Sequence, residues 1–317
     1  MVRISKRCER CLLSEAHGKL SNGYCQLCLT SKETSALEKT PVEVSADIKE
    51  KFDRTVKGYI DPNNQYDALV MLSGGKDSAY ILHKIKNNYP ALKILCLFVN
   101  NGFSSPFALK NVQYVTDKLK TDLIISNSRI DEFKAAFRKA FISLEGRGSY
   151  GVVDFTDGEM IFQTGQQVAQ KLGIGLIIGG LSWVQVQMIV GTDDFQLVKE
   201  GRPRIVFPLA VWRTDEQEIR HIVKTKGLLL PGSDSPVVSN NDLILTMSAI
   251  DVLNLGYCSF EPEFAQLIRE GKTDRKTWLH LFELLEYATI RGYLKKDIEA
   301  NLKKLNLSLD QIVKEEQ

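Results

Sequence analysis

The sequence YDALVMLSGGKDS at residues 66–78 decides how this chain folds. The apolar run Tyr66–Leu72 predicts a short strand, and Ala79–Lys86 has the apolar spacing of a helix. Between them, the two adjacent glycines of Ser73–Ser78 let the backbone turn sharply and bring N–H groups close to an anion. The N-terminus of the following helix adds unpaired N–H donors and a favourable dipole. This stretch therefore predicts an anion-binding loop beyond the carboxyl end of a strand in an α/β sheet.

Strand and helix signals alternate along the chain on the carboxyl side of this loop. Further apolar runs predict strands at Ile94–Val99, Thr121–Ser126, Gly175–Ile178 and Ile205–Pro208. Helical spacing predicts helices at Ala108–Leu119, Glu132–Phe141, Phe162–Leu172 and Asp215–Thr225. Continuous apolar runs are typical of strands that are buried on both faces. We therefore expect an α/β fold with a doubly wound, mostly parallel sheet, and a helical C-terminal region.

Six cysteines are distributed unevenly, with four in the first 28 residues. The pairs Cys8-x-x-Cys11 and Cys25-x-x-Cys28 are separated by 13 residues, and each pair can turn so that both thiolates face one ion. Residues 1–32 are too few to fold alone without such an ion. We expect an N-terminal zinc knuckle with structural Zn²⁺ bound by these four cysteines. Four thiolates also suit an iron–sulfur cluster, and a reducing cytoplasm disfavours disulfides.

The overall composition is ordinary for a globular protein in water. The 317 residues are 44% hydrophobic and 25% charged, with a net charge of +2. This balance disfavours a nucleic-acid partner without excluding a local basic patch. No apolar run approaches the roughly 20 residues of a membrane span, and the N-terminus lacks the apolar core of a signal peptide. We expect a cytoplasmic protein that has no membrane partner and forms a homo-oligomer.

The complete hexapeptide Ser73–Ser78, placed after an apolar strand, resembles the signature of the PP-loop ATP pyrophosphatases. It is not a Walker A loop, because the Gly-x-x-x-x-Gly-Lys-Ser spacing is absent. The family includes GMP and NAD synthetases, tRNA-thiolating and lysidine enzymes, and sugar amidotransferases. The resemblance implies an adenine nucleotide alpha hydrolase-like fold. It also implies an enzyme that activates a carbonyl or carboxyl oxygen with ATP, releases pyrophosphate, and displaces AMP with a nitrogen or sulfur nucleophile.

The resemblance also implies a set of functional residues. Lys76, Asp77 and Arg213 would be catalytic: Lys76 and a Mg²⁺ ion neutralise the departing pyrophosphate, Asp77 faces the metal, and Arg213 stands where the family has a phosphate-contacting lysine. From the residues alone, Asp77 can equally cap the following helix, and Arg213 can be a solvated arginine at a helix start. The ATP contacts implied are Ser73, Gly74, Gly75, Lys76, Asp77, Ser78, Val99, Asn101, Gly179 and Gly180.

The double cysteine knuckle ahead of this loop narrows the resemblance. The layout is similar to the N-acetyl sugar amidotransferases of surface-polysaccharide pathways, and to some tRNA-thiolating enzymes. The stretches Ser239–Asn241 and Gly256–Phe260 fit the C-terminal parts of the former group. This resemblance implies a small-molecule acceptor over the strand ends, for which we select Glu159, Gln163 and Trp183. Because no glutaminase segment is visible, ammonia would be free or come from a separate glutaminase subunit.

The cysteine inventory favours nitrogen transfer over sulfur transfer. Cys96 lies inside an apolar strand, and a buried structural thiol is inert. Cys258 stands alone, so the two do not form a three-cysteine cluster site, and Asn241 replaces a cysteine that related families often have. The alternatives are an ATP-dependent sulfurtransferase acting on a tRNA base or small molecule, and a non-catalytic nucleotide sensor.

These observations divide the chain into four segments. Residues 1–32 form the knuckle, and residues 33–58 form a linker and a helix. Residues 59–235 form the PP-loop domain, and residues 236–317 form the helical C-terminal region.

Overall fold

The computed structural model of the chain describes residues 5–30, 44–187, 191, 194–233 and 240–313. The strands are β1 (Ala68–Met71), β2 (Ile94–Val99), β3 (Asp122–Ser126), β4 (Leu176–Ile178), β5 (Gln196–Leu197) and β6 (Arg204–Val206). The helices are α1 (Gln26–Thr30), α2 (Ala46–Lys57), α3 (Lys76–Asn88), α4 (Pro106–Leu119), α5 (Ile130–Ile142), α6 (Phe155–Lys171), α7 (Trp183–Gln185), α8 (Pro208–Trp212), α9 (Glu216–Lys226), α10 (Leu243–Leu255), α11 (Glu261–Arg269), α12 (Arg275–Ile290) and α13 (Lys295–Lys304).

The chain divides into two compact units. The sheet unit consists of the described parts of Thr40–Ile130 and Glu159–Asn241. The knuckle–helix unit consists of the described parts of Met1–Lys39, Asp131–Gly158 and Asp242–Gln317. No helix among the described residues is long and apolar enough to cross a membrane.

In the sheet unit, the described strands form one sheet in the order β3-β2-β1-β4-β6-β5. The pairs from β3 through β6 are parallel, and only the two-residue edge strand β5 pairs antiparallel, with β6. The strand order steps outward in both directions from β1, so the doubly wound, mostly parallel sheet is confirmed. Every residue of β1, β2 and β4 is buried, as expected for strands covered on both faces.

The helices of the sheet unit carry local signals that start and stop them. Ser45, Ser105 and Asp215 cap α2, α4 and α9 through side-chain bonds to backbone N–H groups. Helix α9 ends at Gly227, whose φ of 57° favours glycine. The short strand β5 had no sequence signal, because two residues are too few to show a period.

In the knuckle–helix unit, the cysteine segment packs directly on the C-terminal helices. Leu12 shares an apolar cluster with Val252, Cys258, Ile268 and Phe282. The four cysteines cluster with Ala265 of α11. A buried ion network joins the same parts, because Arg7 contacts the carboxylates of Glu261 and Glu286. The predicted helical C-terminal region is confirmed, and its helices supply part of the core around the cysteines.

Candidate functional site

The loop Ser73–Ser78 directly follows β1 and opens α3, as the sequence predicts. Gly74 has a φ of 79°, and a Cβ there would lie 2.3 Å from the carbonyl oxygen of Ala108 in α4. Only glycine fits both the left-handed backbone and this close approach. Asn111 of α4 donates to the Gly74 carbonyl at 3.1 Å. The loop is therefore held against the N-terminal half of α4.

Two serine hydroxyls brace the loop from within. The Ser73 N–H donates to Ser78 Oγ at 3.2 Å, and that hydroxyl donates to the Gly75 carbonyl at 3.1 Å. The Gly75 N–H lies 3.4 Å from Ser73 Oγ. Gly75 is the N-cap of α3 and supplies no side chain, so the first-turn N–H groups of the helix lack a side-chain cap. The loop thus has the backbone form of an anion cradle.

Lys76 brings a cation to this cradle and is paired with two carboxylates. Its Nζ lies 2.8 Å from Asp77 Oδ2 and 3.8 Å from Glu216 Oε1. Burial alone would lower the pKa of Lys76, but the charges of Asp77 and Glu216 outweigh it and raise that pKa above the usual value. Glu216 also accepts from Arg220 at 2.8 Å. Lys76 is therefore a permanent cation at neutral pH.

Asp77 is placed as an ion-pair partner rather than as a helix cap. The N-cap of α3 is Gly75, and Asp77 lies in the first turn with its carboxylate bonded to Lys76. Its side chain is 42% exposed, so an oxygen can reach a cation at the surface of the loop. The metal-facing role of Asp77 stays a prediction.

Arg213 ends α8 instead of starting a helix, since α9 begins at Glu216 with Asp215 as its cap. Arg213 has a φ of 50°, and its Nε donates to the Ala210 carbonyl at 3.1 Å. Its guanidinium carbon lies 4.1 Å from the centre of the Trp183 ring. Two predicted site residues, distant in sequence, are therefore in direct contact.

The other residues selected for ATP lie at the same carboxyl edge of the sheet. Val99 is the last residue of β2, and the buried Asn101 accepts the Phe103 N–H at 2.9 Å, which closes a turn. Gly179 follows β4 and donates to the Val206 carbonyl at 2.9 Å. A Cβ on Gly179 would lie 2.9 Å from Phe162, whereas a Cβ on Gly180 would meet only the Ile81 side chain, at 4.0 Å. Their contacts with ATP stay predictions.

Glu159 and Gln163 lie one turn apart on an exposed stripe of α6. The Gln163 amide donates to the Glu159 carboxylate at 3.2 Å. Trp183, the third residue selected for the acceptor, instead places its ring against Arg213. Within the sheet unit, the structure thus joins Trp183 to Arg213 and joins Gln163 to Glu159.

Sequence reasoning missed three residues that hold the loop. Asn111 is buried and also accepts from the Leu230 N–H at 3.1 Å. Asn240 donates to the Ser73 carbonyl at 3.2 Å, and its own carbonyl accepts from Ser105. The third is Glu216, the second carboxylate beside Lys76. A polar residue on the apolar face of α4 was the available signal for Asn111, whereas the other two contacts leave no local pattern.

In the knuckle–helix unit, Cys8, Cys11, Cys25 and Cys28 are all buried, and their sulfur atoms lie within 4.8 Å of one another. The Cys8 N–H donates to the Leu13 carbonyl at 2.9 Å, and the Leu12 N–H donates to the Cys8 carbonyl at 2.9 Å. This tight turn aims both thiols of the first pair inward. The four cysteines form a group that can hold a metal ion.

Electrostatics supports a cation in this four-cysteine group. Burial and the neighbouring thiolate of Cys8 raise the pKa of Cys11 to about 11. Burial likewise raises the pKa of Cys28. For Cys8, burial opposes ionisation, but backbone N–H groups outweigh it and lower the pKa to about 7. Four thiolates in one buried space repel one another, so all four ionise only when a cation compensates them.

The remaining two cysteines are buried thiols. Burial raises the pKa of Cys96 in β2 to about 12. Burial also raises the pKa of Cys258, whose thiol packs on Leu12 and Phe282. Thiols of this kind are poor nucleophiles, because the reactive form is the thiolate.

Comparisons with known proteins give structural neighbours only. No family model and no curated protein matches the sequence. The tRNA thiolase NcsA from Methanococcus maripaludis, with its four-iron, four-sulfur cluster, is 14% identical over 93% of this chain and 88% of its own, with a TM-score of 0.41. An ammonia-dependent NAD synthetase from Campylobacter jejuni is 17% identical over 79% of this chain and 95% of its own, with a TM-score of 0.37. An NMN synthetase from Francisella tularensis is 15% identical over 80% of this chain and 97% of its own, with a TM-score of 0.41. These neighbours are members of the PP-loop ATP pyrophosphatase superfamily, which the hexapeptide resembles.

Proposed function

We propose that this protein is an ATP pyrophosphatase-type enzyme that adenylates a carbonyl or carboxyl oxygen of a small-molecule acceptor and then replaces AMP with ammonia. The observation that carries the proposal is the loop Ser73–Ser78, with its turn that only glycine fits, its helix N-terminus without a side-chain cap, and its partly buried lysine. Backbone N–H groups in such a cradle bind phosphate oxygens and stabilise the charge that develops on leaving pyrophosphate.

Three side chains act on the phosphates in this proposal. Lys76 exchanges a carboxylate partner for a phosphate oxygen. Arg213 contacts the departing pyrophosphate with its planar fork. Asp77 would hold Mg²⁺ through its exposed carboxylate, and that ion would supply further neutralisation of the phosphates when bound.

Ammonia is the proposed nucleophile because the described cysteines are unsuited to carrying sulfur. Cys96 and Cys258 are buried thiols that resist ionisation. The four cysteines would supply all four ligands of a tetrahedral metal ion, so no metal position would stay open for a sulfur substrate. Free ammonia, or ammonia from a separate glutaminase subunit, requires no such thiol.

We propose structural Zn²⁺ as the ion in the four-cysteine group. The Cys11 and Cys25 sulfur atoms lie 3.6 Å apart. Tetrahedral coordination with Zn–S bonds of about 2.3 Å places sulfur atoms roughly 3.8 Å apart. An iron–sulfur cubane would separate the thiolates further, since each one binds a different iron. The spacing therefore favours a single small ion.

The acceptor is proposed to bind beside α6, where Glu159 and Gln163 present a carboxylate and an amide. These groups suit the hydroxyls and amide of an N-acetyl sugar, in line with the surface-polysaccharide amidotransferases that the layout resembles. We propose a cytoplasmic homo-oligomer. The competing function is an ATP-dependent sulfurtransferase that acts on a tRNA base or a small molecule, and the four clustered cysteines are the observation that favours it.

The test is the release of AMP and pyrophosphate from ATP with Mg²⁺ and ammonium. Candidate acceptors are N-acetyl sugar nucleotides, nucleobases and small carboxylic acids. We expect one acceptor class to produce AMP and pyrophosphate in equal amounts, and Lys76→Met to abolish both. Lys84→Met is the matched control, because it makes the same substitution on the same helix. Lys84 packs against Tyr80 and Trp212, whereas Lys76 belongs to the loop. ATP binding without AMP release for any acceptor would favour the nucleotide sensor.

A further inference from the structure

We propose that Trp183 is a positioning residue, whose indole ring orients Arg213 toward the phosphates of ATP. The inference rests on the proposed function, in which Arg213 contacts the pyrophosphate part of the nucleotide. It gives Trp183 a task different from the acceptor contact that the sequence predicts.

The contact between the two side chains has the geometry of a cation–π pair. The Arg213 guanidinium carbon lies 4.1 Å from the Trp183 ring centre, inside the roughly 6 Å range of this interaction. Trp183 is the first residue of α7, and Ser182 fixes that helix start through a reciprocal capping box with Gln185. The indole is thus presented from a defined backbone position.

A second restraint acts on Arg213 itself. Its N–H donates to the Leu209 carbonyl at 3.1 Å, and its Nε donates to the Ala210 carbonyl at 3.1 Å. Stacking on an aromatic face orients the guanidinium plane, because the planar group must lie over the ring. The bond at Nε and the stacking contact therefore both restrain the guanidinium.

The segment that contains Arg213 runs beside the helix that the loop opens. Thr214 Oγ1 lies 3.0 Å from Tyr80 Oη, and Glu216 Oε1 lies 3.8 Å from Lys76 Nζ. Lys76 and Tyr80 occupy the first two turns of α3. The neighbours of Arg213 in sequence are therefore tied to the turns that begin at the loop.

The indole nitrogen is not what fixes Trp183. Among the described residues, Trp183 Nε1 is buried and has no hydrogen-bond partner. Trp183 must then orient Arg213 through the face of its ring, and phenylalanine also has an aromatic ring face. Leucine keeps apolar volume but has no such face.

The inference is tested by calorimetric binding of α,β-methylene-ATP, which cannot release pyrophosphate, and of AMP, which lacks the phosphates that Arg213 contacts. Trp183→Leu is expected to weaken methylene-ATP binding about fivefold, with AMP binding unchanged. Trp183→Phe should stay within about twofold of wild type. In an Arg213→Ala background, Trp183→Leu should have no further effect. Trp212→Leu is the control, because Trp212 is the last residue of α8 and directly precedes Arg213, but its ring packs on Phe52 and Tyr80.

Several outcomes would overturn the inference. Equal weakening of both nucleotides by Trp183→Leu would indicate a general structural role, as would the same loss in Trp212→Leu. Additive losses in the double variant would show that Trp183 does not act through Arg213. If Arg213→Ala alone changes nothing, the inference fails while ATP binding stands. If wild type binds neither nucleotide, the proposed function itself fails.

Discussion

The substitution Gly74→Ala is expected to destabilise the sheet unit strongly. The new Cβ would lie 2.3 Å from the Ala108 carbonyl oxygen and 2.6 Å from the Ala108 Cα, and both are backbone atoms that cannot rotate away. Relieving such overlap costs about 1–3 kcal/mol. The φ of 79° adds about 1–2 kcal/mol for a residue with a Cβ. We therefore expect a loss of about 2–5 kcal/mol in the free energy of unfolding.

Gly75→Ala is the matched control on the neighbouring residue. Gly75 has a φ of −93°, and the atom nearest to its added Cβ is the movable Ser73 hydroxyl at 3.5 Å. Its free energy of unfolding should stay within about 1 kcal/mol of wild type. Urea unfolding followed by tryptophan fluorescence measures both variants. Equal destabilisation by the two substitutions, or none by Gly74→Ala, would refute the assigned contact between the loop and α4.

Three further predictions concern the thiols, the metal and pH. Cys96→Ser and Cys258→Ser should lower stability while retaining AMP release per folded molecule, and loss of turnover in either soluble variant would favour sulfur transfer. Removing the metal from the four-cysteine group with a chelator should lower the melting temperature and increase amide hydrogen exchange in α11 and α12, because Leu12 and the cysteines pack on these helices. Asp154→Asn should stabilise the protein at pH 8 by about 1 kcal/mol or more but have little effect near pH 4. Burial, with Asp157 and Glu263 nearby, raises the pKa of Asp154 to about 7. The wild-type protein therefore loses stability as the pH rises from the pKa that Asp154 has in the unfolded chain toward 7.

The parts of the site that lie within a few residues of each other could be predicted from the sequence. The strand–loop–helix at β1 and the paired cysteines each carry their chemistry in a short span, so a local pattern suffices. Contacts across long separations could not be predicted. Asn240 reaches the Ser73 carbonyl over 167 residues, and Arg7 reaches Glu261 over 254. Such pairs are set by how the elements pack, and neither partner has a distinctive neighbourhood in the sequence.

The stability of the cysteine knuckle also depends on residues that are distant in the sequence. The sequence predicts that residues 1–32 cannot fold without a metal, because so short a segment has too little apolar surface of its own. The structure shows that part of the missing core comes from α10, α11 and α12, through Leu12 and Ala265. The buried pair between Arg7 and Glu261 adds a contact that is costly to break on one side only. Helix packing therefore contributes to the same fold that a metal ion in the four-cysteine group would stabilise.

The pairing of Lys76 sets an electrostatic condition on the proposed reaction. Asp77 and Glu216 both lie within 4 Å of its ammonium group, so a phosphate that approaches Lys76 also approaches two carboxylates. Exchanging one anionic partner for another gains little unless the displaced carboxylate is compensated. Glu216 keeps a cation in Arg220 when Lys76 turns away, whereas Asp77 loses the cation it contacts. Asp77 is thus the carboxylate that needs a new positive partner when nucleotide binds, which is the condition that a divalent cation accompanying ATP would satisfy.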